Sequence, residues 1–138
     1  MSAPEQTIAE RLKAAGLRPT RQRVALGRLL FSNGDRHVTA EALHDEAQRE
    51  QIPVSLATIY NTLHQFTEAG MLREVAIEGS KTYFDTNTSD HHHFYFEHEG
   101  LLMDIDCRES PVLSVPLPPE GMEISRIDVL VRLIKKKS

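Results

Sequence analysis

Ser55-Leu56-Ala57-Thr58-Ile59-Tyr60-Asn61-Thr62-Leu63 is the stretch on which the reading of the chain turns. Ser55 suits a helix N-cap, because its hydroxyl can accept from a backbone N–H that the helix leaves without a partner. Leu56, Ile59, Leu63 and Phe66 fall in one narrow stripe of a helical wheel, which marks the buried face. Gly70 ends the run. The outer side carries Ala57, Asn61, His64 and Gln65, with Tyr60 at the flank, and no charge until Glu68. An Asn or Gln can pair with adenine there, and a tyrosine ring or alanine methyl can pack on a thymine methyl. An ordinary solvated helix face is the plainer alternative.

The neighbouring segments favour the DNA reading. Downstream, residues 71–77 read as a strand with Val75 and Ile77 on one side, 78–80 as a turn and 81–84 as a return strand. Upstream, Thr7-Ile8-Ala9-Glu10 is a capping box, which starts a first helix with Ile8, Leu12 and Ala15 inward and Gly16 at its end. Thr20 caps a second helix with Val24, Ala25 and Leu29 inward and Arg21 and Arg28 outward. It stops at the turn residues Ser32-Asn33-Gly34-Asp35. A third helix starts near Thr39, buries Leu43 and Ala47 and ends before Ile52-Pro53. Helices, then a capped helix, then a β-hairpin is the order of a winged helix-turn-helix. The fourth helix would enter the major groove, and the hairpin, with Lys81 near its tip, would touch phosphate.

Composition sets the bounds. The chain has 138 residues, 40% of them hydrophobic and 26% charged, enough for one ordinary domain or two small ones. No apolar run approaches a membrane span and no signal-peptide core opens the chain, so a cytoplasmic protein without a membrane partner is expected. One cysteine, Cys107, excludes an internal disulfide and a Cys-rich zinc site. The net charge of −4 is unevenly placed. Residues 1–30 hold six cations against two anions, whereas residues 85–138 hold six against ten. A basic front and an acidic back fit a nucleic-acid-binding half joined to something else.

That second half opens on Asp90-His91-His92-His93-Phe94-Tyr95-Phe96-Glu97-His98. In an extended segment alternate side chains share a face, so His91 and His93 lie together and His92 lies with Phe94 and Phe96. Two imidazoles with Asp85, Asp90 and Glu97 near them suit a nitrogen- and oxygen-preferring metal or haem iron. A histidine-rich polar loop is the plainer reading. Glu99-Gly100 is the expected turn into a strand over 101–106, prolines exclude a long helix between Arg108 and Gly121, and alternation from Glu123 onward reads as a further strand. Three short strands make a poor core alone, so a homodimer is expected, which also fits a two-fold-symmetric operator.

These motifs together resemble the ferric uptake regulator (Fur) family. Gly16-Leu17-Arg18-Pro19-Thr20-Arg21-Gln22-Arg23 is similar to the family's start of the second helix, His37-Val38-Thr39-Ala40-Glu41 to its H-[VI]-[ST]-A-E motif, and residues 55–63 to its recognition helix. Within the family the chain most resembles the iron response regulators (Irr) of alphaproteobacteria, by its H-H-H-F-Y run and its lack of cysteine pairs. Phe96 and Glu99 stand where the family's C-x-x-C is expected, so no structural zinc site of four cysteines can form.

The resemblance implies an α+β fold: a winged helix-turn-helix DNA-binding domain over residues 1–84, then a small α/β dimerisation and sensing domain over 85–138. It implies a metal site of His37, Asp85, His91 and His93, and haem at His91, His92 and His93. DNA contacts would come from Arg11, Arg21, Arg23, Ser55, Ala57, Thr58, Tyr60, Asn61, His64 and Lys81. It further implies a haem- and iron-responsive regulator of iron homeostasis and haem synthesis genes. Such a regulator would bind A/T-rich double-stranded operators under iron limitation and lose them to haem, with a haem-delivering enzyme as a further partner. Cys107 precedes Arg108 rather than a proline, which favours simple loss of DNA binding over haem-triggered degradation. Asn61 stands where the family often has Arg. Asn suits adenine and Arg suits guanine, so the operator should differ from the usual one of the family. The alternative within the family is a regulator that senses Fe2+, Mn2+ or Zn2+ directly. An enzyme using a histidine–carboxylate centre to activate water would leave the winged-helix front unexplained.

Overall fold

Every helix of the first unit begins on a hydroxyl that accepts a backbone N–H three residues on. Thr7 caps α1 (Ile8–Ala14), Thr20 caps α2 (Arg21–Phe31), Thr39 caps α3 (Ala40–Arg49) and Ser55 caps α4 (Leu56–Glu68). Each such cap is worth about 1 kcal/mol against alanine. The computed structural model describes residues 7–77, 82–89, 92–105 and 115–137. His91 and Lys81, two of the expected contact residues, lie outside them, as do Asp90 and Cys107. Among the described residues no helix is long and apolar enough to cross a membrane.

The chain divides into two units, Met1–Thr88 and Ser89–Ser138. In the first, α1–α4 close over a core of Leu12, Leu26, Leu30, Leu43, Ile59, Leu63 and Phe66, all fully buried. Full burial of a side chain of this size contributes roughly 1.5–3 kcal/mol. Of the stripe expected on α4, Ile59, Leu63 and Phe66 are buried, Leu56 is half-buried, and Thr62 is buried beside them. On α2 the inward face is centred on Leu26, Gly27 and Leu30, while Val24, Ala25 and Leu29 are only half-buried. The cause is a close helix contact: a Cβ on Gly27 would lie 2.6 Å from Ile8 Cγ2 of α1. A side chain at position 27 would require Ile8 to shift.

A three-stranded antiparallel sheet completes this unit, in the order β1 (His37–Val38), β3 (Thr82–Asp85), β2 (Arg73–Ala76). The hairpin of β2 and β3 is the expected wing, and β1 is a strand that the motif around His37 did not suggest. Asp85 pairs with His37 on one side and Arg73 on the other. The sheet therefore carries the first unit past residue 84, and Thr86 continues it by exchanging hydrogen bonds with the Arg36 backbone.

The second unit is a mixed sheet in the order β5 (Leu101–Ile105), β4 (His92–Phe96), β6 (Leu130–Leu133). β4 runs antiparallel to β5 and parallel to β6. The described residues of this unit contain no helix. The final strand is shorter than the alternation from Glu123 suggests. β4 offers partners only from His93 to Phe96, and the Val129 N–H just before β6 goes instead to the His92 side chain, 3.0 Å away.

Candidate functional site

Strand pairing builds two histidine–aspartate pairs, one in each unit. His37 and Asp85 stand opposite each other on β1 and β3, which puts both side chains on the same face of the sheet. His37 Nε2 lies 3.2 Å from Asp85 Oδ2, and Asp85 is completely buried. Its other oxygen, Oδ1, accepts the Asn87 N–H at 2.9 Å, so a local turn fixes the carboxylate with Oδ2 toward the imidazole. In the second unit His93 stands opposite Asp104, with Nε2 3.3 Å from Oδ1. His93 is only 4% exposed.

Each pair offers one imidazole nitrogen and one carboxylate oxygen. Such donors suit divalent first-row ions, and a carboxylate is rarely buried without a charge or hydrogen-bonding partner. The residues present therefore fit a divalent metal. Asp104 was absent from the ligands expected on resemblance, yet a signal for it existed. A hairpin turning at 97–100 sets Phe96 opposite Leu101, and that register brings His93 opposite Asp104.

His92 is used differently from His93. Its Nδ1 accepts the Val129 N–H, which assigns the ring proton to Nε2. Along β4 the buried positions are His93 and Tyr95, while His92, Phe94 and Phe96 take the other face, half-buried. The same face carries Leu101 and Met103 of β5 and Val131 and Leu133 of β6, all set opposite residues of β4.

The outer face of α4 presents Ala57, Asn61 and His64 to solvent, with Thr58 and Tyr60 half-buried at its edges. Ser55 caps the helix and also donates to the Thr58 hydroxyl. Beside this face lies a cleft of about 440 Å3 lined by Arg18, Thr20, Arg23, Thr58, Asn61 and Gln65. Arg23 holds its rim: its guanidinium donates to the Arg18 carbonyl and to Gln65 Oε1, each at 3.0 Å. Arg21 is exposed, whereas Arg11 sits 4.4 Å over the Phe31 ring. Among the cations expected to touch phosphate, Arg11 and Arg23 thus also tie helices together.

Glu41, at the start of α3, escaped the sequence reading. The Tyr60 hydroxyl donates to its Oε1 at 2.6 Å. This bond holds the Glu41 carboxyl below the usual carboxylate range and pushes the Tyr60 hydroxyl above the usual phenol value.

Comparison with known proteins agrees with this architecture. Residues 14–115 match the ferric uptake regulator family. The peroxide-responsive repressors PerR of Staphylococcus aureus strains Mu50 and USA300 are 37% identical over 100 residues, 72% of this chain. The match spans 66% of those relatives' own length. Among solved structures, the Pseudomonas aeruginosa ferric uptake regulator with manganese superimposes with a TM-score of 0.72 at 23% identity, covering 96% of this chain and 100% of that one. The Vibrio cholerae ferric uptake regulator gives 0.71 at 20% identity, covering 92% and 98%. A zinc-bound manganese uptake regulator gives 0.66 at 19% identity, covering 95% and 100%. These likenesses show the α+β fold, and with the sequence match they place the protein: the chain belongs to the ferric uptake regulator family, a family of DNA-binding transcription regulators and not of enzymes.

Proposed function

We propose that this regulator answers directly to a divalent metal, Fe2+, Mn2+ or Zn2+, held by His37, Asp85, His93 and Asp104, with His91 as a further candidate ligand. The carrying observation is the pair of cross-strand histidine–aspartate contacts, one on the strands that end the DNA-binding unit and one on the sheet of the second unit. When bound, the ion supplies a positive centre for two imidazoles and two carboxylates. Differential affinity of the ion for one conformation of the chain would then shift the population.

The haem reading has less support. Iron at His92 Nε2 would have to displace the proton that its bond from Val129 places there, and His93 is buried against Asp104.

DNA is read by α4, with Asn61 toward adenine and Ala57 and Tyr60 toward thymine methyls, in an A/T-rich operator. Ser55, Thr58, His64, Arg11, Arg21, Arg23 and Lys81 supply the surrounding contacts. The operator is bound by a homodimer, for which the apolar face of Phe94, Phe96, Leu101, Met103, Val131 and Leu133 is the pairing surface.

The test is a mobility-shift titration on an operator duplex with Fe2+, Mn2+, Zn2+ and haem in separate arms. A divalent ion is expected to raise DNA affinity and a chelator to reverse it. Loss of binding on adding haem alone, with no response to any ion, would restore the haem reading.

A second reading follows from the 37% identity to repressors named for their peroxide response. On that reading, hydrogen peroxide abolishes DNA binding by the Fe2+-loaded protein and leaves the Mn2+-loaded protein bound. Equal resistance of both forms would remove it.

A further inference from the structure

We propose that Glu41 is a positioning residue for base reading: it holds Tyr60 so that the phenol ring meets a thymine methyl in the major groove. The inference rests on the assignment of α4 as the DNA-reading helix.

Tyr60 stands at the flank of the outer face, where an unrestrained ring would sample several rotamers. Two contacts remove that freedom. At the oxygen, the hydroxyl donates to Glu41 Oε1 at 2.6 Å, from α4 to the first turn of α3. On the ring, His64, one turn further along α4, lies stacked at 6.5 Å between centroids with the planes 21° apart. His64 is itself held edge-on by Phe84 of β3 at 5.6 Å and 77°, and Phe84 is buried in the core. The ring is thus fixed from the core outward, and its conformational entropy is lost on folding rather than on binding DNA.

The chemistry of the exposed part follows. Because the hydroxyl donates to Glu41, Tyr60 offers the groove a carbon edge instead of a hydrogen-bond donor. In the major groove the apolar feature among the base edges is the C5-methyl of thymine. A carboxylate beside DNA also opposes phosphate, so Glu41 lowers overall affinity while it orients the ring. Orientation and charge can therefore be separated by substitution. The shift of both groups away from each other's titration range keeps the donor and acceptor forms present through neutral pH.

The experiment uses the full chain with Mn2+ and a duplex that the wild-type chain selects from random-sequence DNA. Each thymine is replaced in turn by deoxyuridine, which removes only the methyl. At one thymine per half-site the wild type is expected to lose about fourfold in affinity, the worth of one buried methyl. Glu41→Ala should bring that ratio to about one, and Tyr60→Phe, which keeps the ring and loses the tether, should reduce it. Glu41→Gln keeps an acceptor and drops the charge, so it should bind the duplex more tightly and retain the ratio. A merely structural role for Glu41 would move melting temperature and leave the thymine ratio alone. A Glu41→Ala chain that keeps the ratio overturns the proposal, as does a wild type that binds without sensing any methyl. A wild type that selects no duplex overturns the α4 assignment, and this proposal with it.

Discussion

In the first unit Leu12, Leu26, Leu30, Leu43, Ile59, Leu63 and Phe66 have no exposed surface, while in the second Leu101 is 59% and Met103 48% exposed on one face of a sheet. Among its described residues the first unit has four helices and a wing to close over its apolar residues. The second lays three described strands side by side, and Leu101 and Met103 stand exposed beside the half-buried Phe94 and Phe96. A sheet that shows an apolar face to water is a surface waiting for a partner. On the proposed function the contrast separates two jobs: the unit proposed to meet DNA is stabilised from within, and the unit proposed to pair is stabilised by pairing.

The first core offers the largest effect. Phe66→Ala should cost about 3–5 kcal/mol of unfolding free energy, because it empties a site packed on all sides. Denaturant unfolding measures it, and a loss below about 1 kcal/mol would mean that the core is not closed. In the second unit, Leu101→Asp combined with Met103→Asp should turn a dimer into a monomer, read by sedimentation. The helical circular dichroism of the first unit should stay as it was; if it collapses, the two units are not stabilised separately.

Backbone strain gives a smaller effect. Gln51 follows α3 with φ +58°, where the Ile52 N–H closes back on the Ala47 carbonyl. A side chain there costs roughly 1 kcal/mol relative to glycine, so Gln51→Gly should stabilise the protein by up to about that amount in thermal unfolding. No change would show that the turn relaxes.

The smallest effect is a titration. Tyr60 should ionise above the ordinary phenol value near 10, and Glu41→Ala, which removes the acceptor, should bring it back down, read by ultraviolet difference absorbance. Each partner carries its own pH dependence of stability. Glu41, with its folded pKa lowered, contributes above the ordinary carboxylate range and loses that contribution as pH falls through the lowered value. Tyr60, with its folded pKa raised, contributes below its ordinary value and loses that contribution as pH rises through the raised one. The Tyr60–Glu41 bond should therefore be insensitive to pH across neutrality.

Much of the first unit could be read from the sequence because its signals are local. Hydroxyl caps, the stripe on α4 and the glycines after α1 and α4 act within one or two helical turns. What escaped depends on distant partners. Gly27 faces inward because Ile8 of another helix needs the space. His37 lies in a two-residue strand that exists only because Asp85 offers an edge, and Glu41 finds Tyr60 nineteen positions away. The candidate metal ligands divide the same way. His93 stood out by its triplet, whereas Asp104 follows only once the hairpin register is fixed.

If the histidine–aspartate pairs bind a divalent ion, and that ion governs the grip on DNA, the two properties must be lost together. Electron paramagnetic resonance of added Mn2+, run beside mobility shifts on the same samples of wild type, His37→Ala and His93→Ala, reads both at once. One tightly held Mn2+ per wild-type chain is expected, lost in both variants along with high-affinity DNA binding. Retained Mn2+ in either variant, or DNA binding that survives loss of the ion, would show that these residues are not the sensor.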